Sequence, residues 1–85
     1  MTNARILVVE DESIIALDLR DRLTNLGYQV PRIVAYAEEA VQQAQALAPD
    51  LVLMDIMLRG AMDGIQAAEQ IRRQSRLPVI YLTAH

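Results

Sequence analysis

The sequence predicts an α/β domain built on a doubly wound parallel sheet, and two observations predict it. First, short apolar runs alternate with longer segments of helical periodicity, in the order strand, helix, strand, helix, strand, helix, strand. That alternation is the pattern of parallel strands joined by crossover helices. Second, three of the apolar runs end in polar groups. Ile6-Leu7-Val8-Val9 leads into Glu10-Asp11, Leu51-Val52-Leu53-Met54 into Asp55, and Val79-Ile80-Tyr81-Leu82 into Thr83-Ala84. If these runs are neighbouring parallel strands, three carboxylates and a hydroxyl converge at their C-terminal ends.

The elements follow in order. Residues 5–9 form the first strand, and residues 13–26 a helix. Ile15, Leu19, Leu23 and Leu26 recur at steps of four and three and define one apolar face, widened by Ile14 and Leu17. Asp18 and Arg22 stand at i,i+4 spacing, where opposite charges pair. Gly27 falls where a helix end needs a left-handed residue. Residues 28–35 read as a second strand, interrupted by Pro31, which lacks the ladder N–H and so assigns this strand to an edge. Residues 38–48 form an alanine- and glutamine-rich helix, with Glu38 and Glu39 at its positive end and Pro49 as its stop.

Residues 51–56 are apolar on both faces, as a buried parallel strand requires. Residues 63–73 form the third helix, with Asp63 as N-cap and Gln66 at the capping-box position. Ile65, Ala68 and Ile71 or Arg72 mark its buried side, less sharply. Residues 78–83 form the fourth strand, opened by Pro78. With the second strand at an edge, the expected order is 2-1-3-4. It changes direction between strands one and three, and ligands bind outside the carboxyl ends of strands at such a point. The first helix covers one face over strands one and two, and the other helices cover the opposite face. Strands three and four are then bare on the first face, so a further strand and a covering helix are expected to be missing.

Composition narrows the function. Eighty-five residues make one domain with a modest core. The net charge is −3 and no basic cluster larger than Arg72-Arg73 with Arg76 occurs, which argues against nucleic-acid binding. No cysteine is present, so disulfides and thiolate metal sites are excluded. The sequence has no secretory signal pattern and no membrane-length apolar run, so a cytoplasmic protein without a membrane role is expected.

Strand tips about 4.8 Å apart bring Glu10, Asp11 and Asp55 within a few ångströms. Such carboxylates repel in a partly desolvated site, and a divalent cation relieves the repulsion. Mg2+ prefers oxygen ligands and keeps several waters, which suits substrate phosphate oxygens. An aspartate can attack phosphorus to form an acyl phosphate. Gly60 and Gly64 allow tight backbone in the loop after Asp55, the Thr83 hydroxyl could donate to a phosphoryl oxygen, and Ala84 is small enough to leave access. Each feature alone has a plainer reading. Glu10, Asp11 and Glu12 suit a helix N-terminus, Asp55 a strand-end turn, and Thr83 an ordinary strand; Asp63 is a helix cap, and the Leu and Ile stripes are core.

Taken together, the motifs Ile-Leu-Val-Val-Glu10-Asp11-Glu12, Leu-Val-Leu-Met-Asp55 with Met-Asp63-Gly64, and Pro78-Val-Ile-Tyr-Leu-Thr83-Ala84 resemble the receiver domain of two-component response regulators over essentially residues 1–85. The resemblance implies a flavodoxin-like receiver fold whose fifth strand and last two helices are missing here. It implies that Asp55 accepts a phosphoryl group from a sensor histidine kinase or phosphotransfer protein. It further implies that Glu10, Asp11, Asp55 and the Met57 backbone carbonyl hold Mg2+, and that Thr83, with Ala84 beside it, is the phosphoryl-binding switch. The output domain or effector stays unnamed. Tyr81 is not the family's aromatic switch residue. Two departures stand out. Arg59-Gly60 replaces the usual proline in a loop one residue longer, and the family's phosphoryl-pairing lysine has no counterpart, since the chain contains no lysine.

Three other readings compete. A Mg2+-dependent phosphohydrolase of the haloacid-dehalogenase kind would need an acid two residues after its nucleophile, where Met57 stands and can transfer no proton. A nucleotide-binding loop of the Gly-x-x-x-x-Gly-Lys type is absent from the sequence. An interaction-only or inactive truncated receiver would expose the fourth strand as an open edge and self-associate through it. The expected protein is therefore a phosphoacceptor and not a turnover enzyme.

Overall fold

The computed structural model describes residues 4–58 and 60–82. Its elements are β1 (Arg5–Val9), α1 (Ser13–Asn25), β2 (Gln29–Val34), α2 (Ala37–Leu47), β3 (Leu51–Asp55), α3 (Gly64–Gln74) and β4 (Val79–Leu82). All pairings are parallel and the order is β2-β1-β3-β4. The expected doubly wound order therefore holds, with helix boundaries within a residue of those read from the sequence.

Proline places β2 at the edge. Arg5 pairs with Gln29 but Leu7 pairs with Arg32, so β2 carries one extra residue across Val30 and Pro31. The bulge accommodates a residue that cannot donate to the ladder. β1 lies between β2 and β3, and its Leu7, Val8 and Val9 are fully buried.

The helices divide between the faces. Leu7, Val9, Val52 and Met54 face a core shared with Ala40, Val41, Ala44, Ala67 and Ile71 from α2 and α3. The small alanines let both helices approach the sheet and each other closely. α1 packs on the other face against β1 and β2. There Ile6, Val8 and Ala16 are buried, Leu51 and Leu53 are half-buried, and Ile80 is 51% exposed.

Each helix end has a local cause. Gly27 takes φ +98° after α1, a conformation costly for other residues. α2 ends at Leu47, and Ala48, followed by Pro49, turns left-handed at φ +44°. Arg5 closes this end, as its Nη1 donates to the Leu47 carbonyl at 2.7 Å while its N–H donates to Asp50 Oδ2 at 2.8 Å. α3 starts with the expected capping box. Gln66 N–H donates to Asp63 Oδ1 at 2.8 Å, and Asp63 N–H donates to Gln66 Oε1 at 3.0 Å. The Asp18–Arg22 pair forms at 2.9 Å on the exposed side of α1.

The apolar stripes need correction. Ile15, Leu19 and Leu23 are only half-buried, while Ile14, Leu17 and Leu26 are exposed. Among the described residues α1 packs mainly along β1 and β2, so the flanks of its stripe stay largely uncovered. On α3, Ile65 and Arg72 are exposed, and Ala67 joins Ala68 and Ile71 in the buried face. No helix among the described residues is long and apolar enough to cross a membrane.

Candidate functional site

β1 and β3 are adjacent and in register, with Val9 beside Met54. The residues that follow each pair member, Glu10 and Asp55, therefore emerge side by side at the carboxyl end of the sheet. Glu10, Asp11 and Asp55 each offer a carboxylate oxygen, and these oxygens all lie within 4.8 Å of one another. Glu10 is 3% exposed and Asp55 4% exposed, whereas Asp11 is half-buried at the mouth.

Backbone donors hold the two buried carboxylates. Glu12 N–H donates to Glu10 Oε2 at 3.0 Å, and Met57 N–H donates to Asp55 Oδ1 at 3.0 Å. Each is a two-residue return from a strand tip into the following bend, and for Asp55 this is the turn that aspartate favours. Glu10 N–H in turn donates to the Val34 carbonyl at 2.9 Å, which ties the site to the end of β2. Spacing alone signals the i,i+2 donors only weakly, and it gives no sign of Val34.

The electrostatics concentrate on Glu10. Burial pushes its pKa from 4.5 up to about 7, and hydrogen bonding and charge repulsion from Asp55, with a hydrogen bond to Asp11, add to the rise. The Glu12 N–H opposes it by stabilising the charged form. Near neutrality, then, Glu10 keeps its proton in a substantial share of the molecules. A buried carboxyl that retains its proton beside other carboxylates suits a bound cation, because positive charge removes both the repulsion and the need for the proton.

The loop behind the cluster is close-fitting. Gly64 starts α3 with its amide on the Ile56 carbonyl at 3.4 Å, and a Cβ there would collide with the backbone carbonyl of Asp55. Gly60 takes φ +109° and lies against Tyr36 and the Glu38 carboxylate. Leu58 is buried in the core, while Met57 is 72% exposed. Asp63 serves α3 as its cap and stands outside the carboxylate cluster. Thr83 and Ala84, the expected switch residues, lie outside the described residues.

Two hollows lie nearby. One of about 280 Å³, mainly apolar, adjoins the cluster and is lined by Glu10, Asp11, Ser13, Ala16, Leu17 and Ile33. A larger groove of about 380 Å³ runs past Glu38, Met62, Gln66, Glu69 and Arg73. It contains none of the three clustered carboxylates.

Comparison with known proteins gives one answer. A family model described as the response regulator receiver domain matches residues 6–85. The transcriptional regulatory protein PdtaR of Mycobacterium tuberculosis is 39% identical over 80 residues, covering 94% of this chain and 38% of that protein. The signal receiver domain of a modulated diguanylate cyclase from Desulfovibrio desulfuricans superposes with a TM-score of 0.90 at 42% identity, covering 95% of this chain and 65% of that one. PhyR of Bartonella quintana, an anti-anti-sigma factor in complex with the anti-sigma factor NepR, superposes with a TM-score of 0.88 at 36% identity, covering 98% of this chain and 34% of that one. The chain spans about a third of the length of the curated relatives it matches.

Proposed function

The chain belongs to the response-regulator receiver domain family of two-component systems, and from that membership we propose that it is a phosphoacceptor switch, with Asp55 receiving a phosphoryl group from a sensor histidine kinase or a phosphotransfer protein. The observation that carries this reading is the gathering of Glu10, Asp11 and Asp55 oxygens within 4.8 Å at the carboxyl end of a parallel sheet.

The step follows from the donor set. An Asp55 carboxylate oxygen attacks the phosphorus of a phosphorylated imidazole. The oxygen–phosphorus bond forms, the nitrogen–phosphorus bond breaks, and its electron pair returns to the imidazole nitrogen. Met57 N–H fixes one oxygen of Asp55 and so orients the carboxylate for attack. Glu10, Asp11, Asp55 and the Met57 carbonyl would hold Mg2+. When bound, the ion neutralises charge on the transferring group. Thr83, flanked by Ala84, would then bind a phosphoryl oxygen and shift, biasing one of two conformations toward an output domain or effector.

In this reading the domain assists its own modification and is not a turnover enzyme. It works in the cytoplasm, where its phosphodonors are made, and its domain assignment runs over residues 1–85. The exposed Ile80 on β4, at the end of the sheet order, also favours a second reading, association through that strand. Concentration-dependent elution in size exclusion would support it, and a monomer at high concentration would remove it.

Intact mass after incubation with Mg2+ and a small acyl phosphate tests the main reading. Gain of one phosphoryl group by the wild type and none by Asp55→Asn is expected. Equal labelling of both, or of neither, overturns it.

A further inference from the structure

We propose that Met57 is a modification site, oxidised by hydroperoxides ahead of the other described methionines, and that its sulfoxide slows phosphoryl transfer to Asp55. The second half rests on the phosphoacceptor reading. The first half does not.

The methionines differ sharply in access. Met54 is fully buried in β3, Met62 is half-buried against the core, and Met57 is 72% exposed. The chain has no cysteine, so no thiol competes for the oxidant. Oxidation transfers one oxygen atom from the peroxide to the thioether sulfur. The O–O bond breaks, sulfur loses two electrons, and the peroxide is reduced to water or an alcohol. The exposure of the residue therefore selects Met57.

Its position gives the modification a consequence. The Met57 amide holds Asp55 Oδ1 at 3.0 Å, so this side chain departs from the residue that orients the buried carboxylate. Asp55 in turn lies within the carboxylate cluster it forms with Glu10 and Asp11. A sulfoxide replaces a flexible apolar group with a polar one whose oxygen bears partial negative charge. Phosphodonors are anions, and the altered rim disfavours their approach.

The whole chain, treated briefly with dilute hydrogen peroxide and then peptide-mapped, tests the site. Met57 is expected to oxidise about tenfold faster than Met54 and Met62, and an equal or slower rate overturns the assignment. Labelling by a small acyl phosphate with Mg2+ tests the coupling. The oxidised wild type should label about threefold more slowly and recover on treatment with methionine sulfoxide reductase, while Met57→Leu loses its response to peroxide. An unchanged rate after complete Met57 oxidation overturns the coupling. If the untreated chain accepts no phosphoryl group, the phosphoacceptor reading fails and the coupling with it, whereas the peptide map still decides the modification site.

Discussion

The backbone carbonyl of Asp55 occupies the space that a side chain at Gly64 would need. The first turn of α3 is thereby pressed against the end of β3, and the bend that carries Met57 is held between them. Gly64→Ala forces the two apart. A loss of about 1–3 kcal/mol is expected, the usual range for overpacking a close contact, read as a lower denaturant midpoint. Acyl-phosphate labelling of Asp55 should fall with it, since the bend would shift. A midpoint within experimental error of the wild type would show that the helix retreats freely.

Glu10 predicts an unusual dependence of stability on pH. Its folded pKa of about 7 lies above the ordinary value of 4.5, so the folded state binds the proton more tightly. Its contribution is fully present below the ordinary value and is lost as pH rises through about 7. The metal-free chain should therefore melt at a lower temperature at about pH 8 than at about pH 6. Glu10→Gln should flatten that slope, and Mg2+ should raise the melting temperature most at the alkaline end. A wild type and variant with parallel pH profiles would refute the assignment.

Arg5 joins the start of β1 to the end of α2 through the Leu47 carbonyl and pairs its own backbone with Asp50 in both directions. Arg5→Met keeps the stem and removes the charge-assisted bond, at an expected loss of about 1–2 kcal/mol. Chemical denaturation measures it, and amide exchange should show faster fraying of the last turn of α2.

Asp63→Ala removes the acceptor for Gln66 N–H and breaks the capping box. About 1 kcal/mol of stability should be lost. Asp63→Asn, which retains a capping oxygen, should recover most of it in the same denaturation experiment. Mg2+ affinity should stay near the wild type in both variants, because Asp63 stands outside the carboxylate cluster.

Much of this arrangement was legible before any coordinates. Pro31 announced an edge strand, the two-sided apolar run 51–54 an interior one, and together they placed Glu10 beside Asp55. Asp63 with Gln66, and Gly27, announced helix ends through the chemistry of single residues. The exposure of Ile14, Leu17 and Leu26 was not legible. Periodicity says which residues share a face, but coverage depends on where neighbouring elements lie. The same limit hid Ala67, whose small side chain gives no pattern yet sits at a close helix–sheet approach. Arg5 was silent for another reason: its partner is a backbone carbonyl far along the chain, and any sequence supplies one.

The central position of β1 has a consequence for how the chain reaches this state. β1 pairs with β2, beginning at Arg5 and Gln29, and with β3, beginning at Ile6 and Leu51. The second pairing closes a loop nearly twice as long, which adds about 0.6 kcal/mol of closure entropy. It also brings buried carboxylates together, whereas the first pairing does not. The β1–α1–β2 unit is therefore expected to condense first, with the acidic cluster formed on the later docking of β3. Glu10→Gln should accordingly speed refolding in the absence of metal. Its effect should appear in the folding limb of the kinetics, because repulsion between like charges is already felt when the third strand arrives.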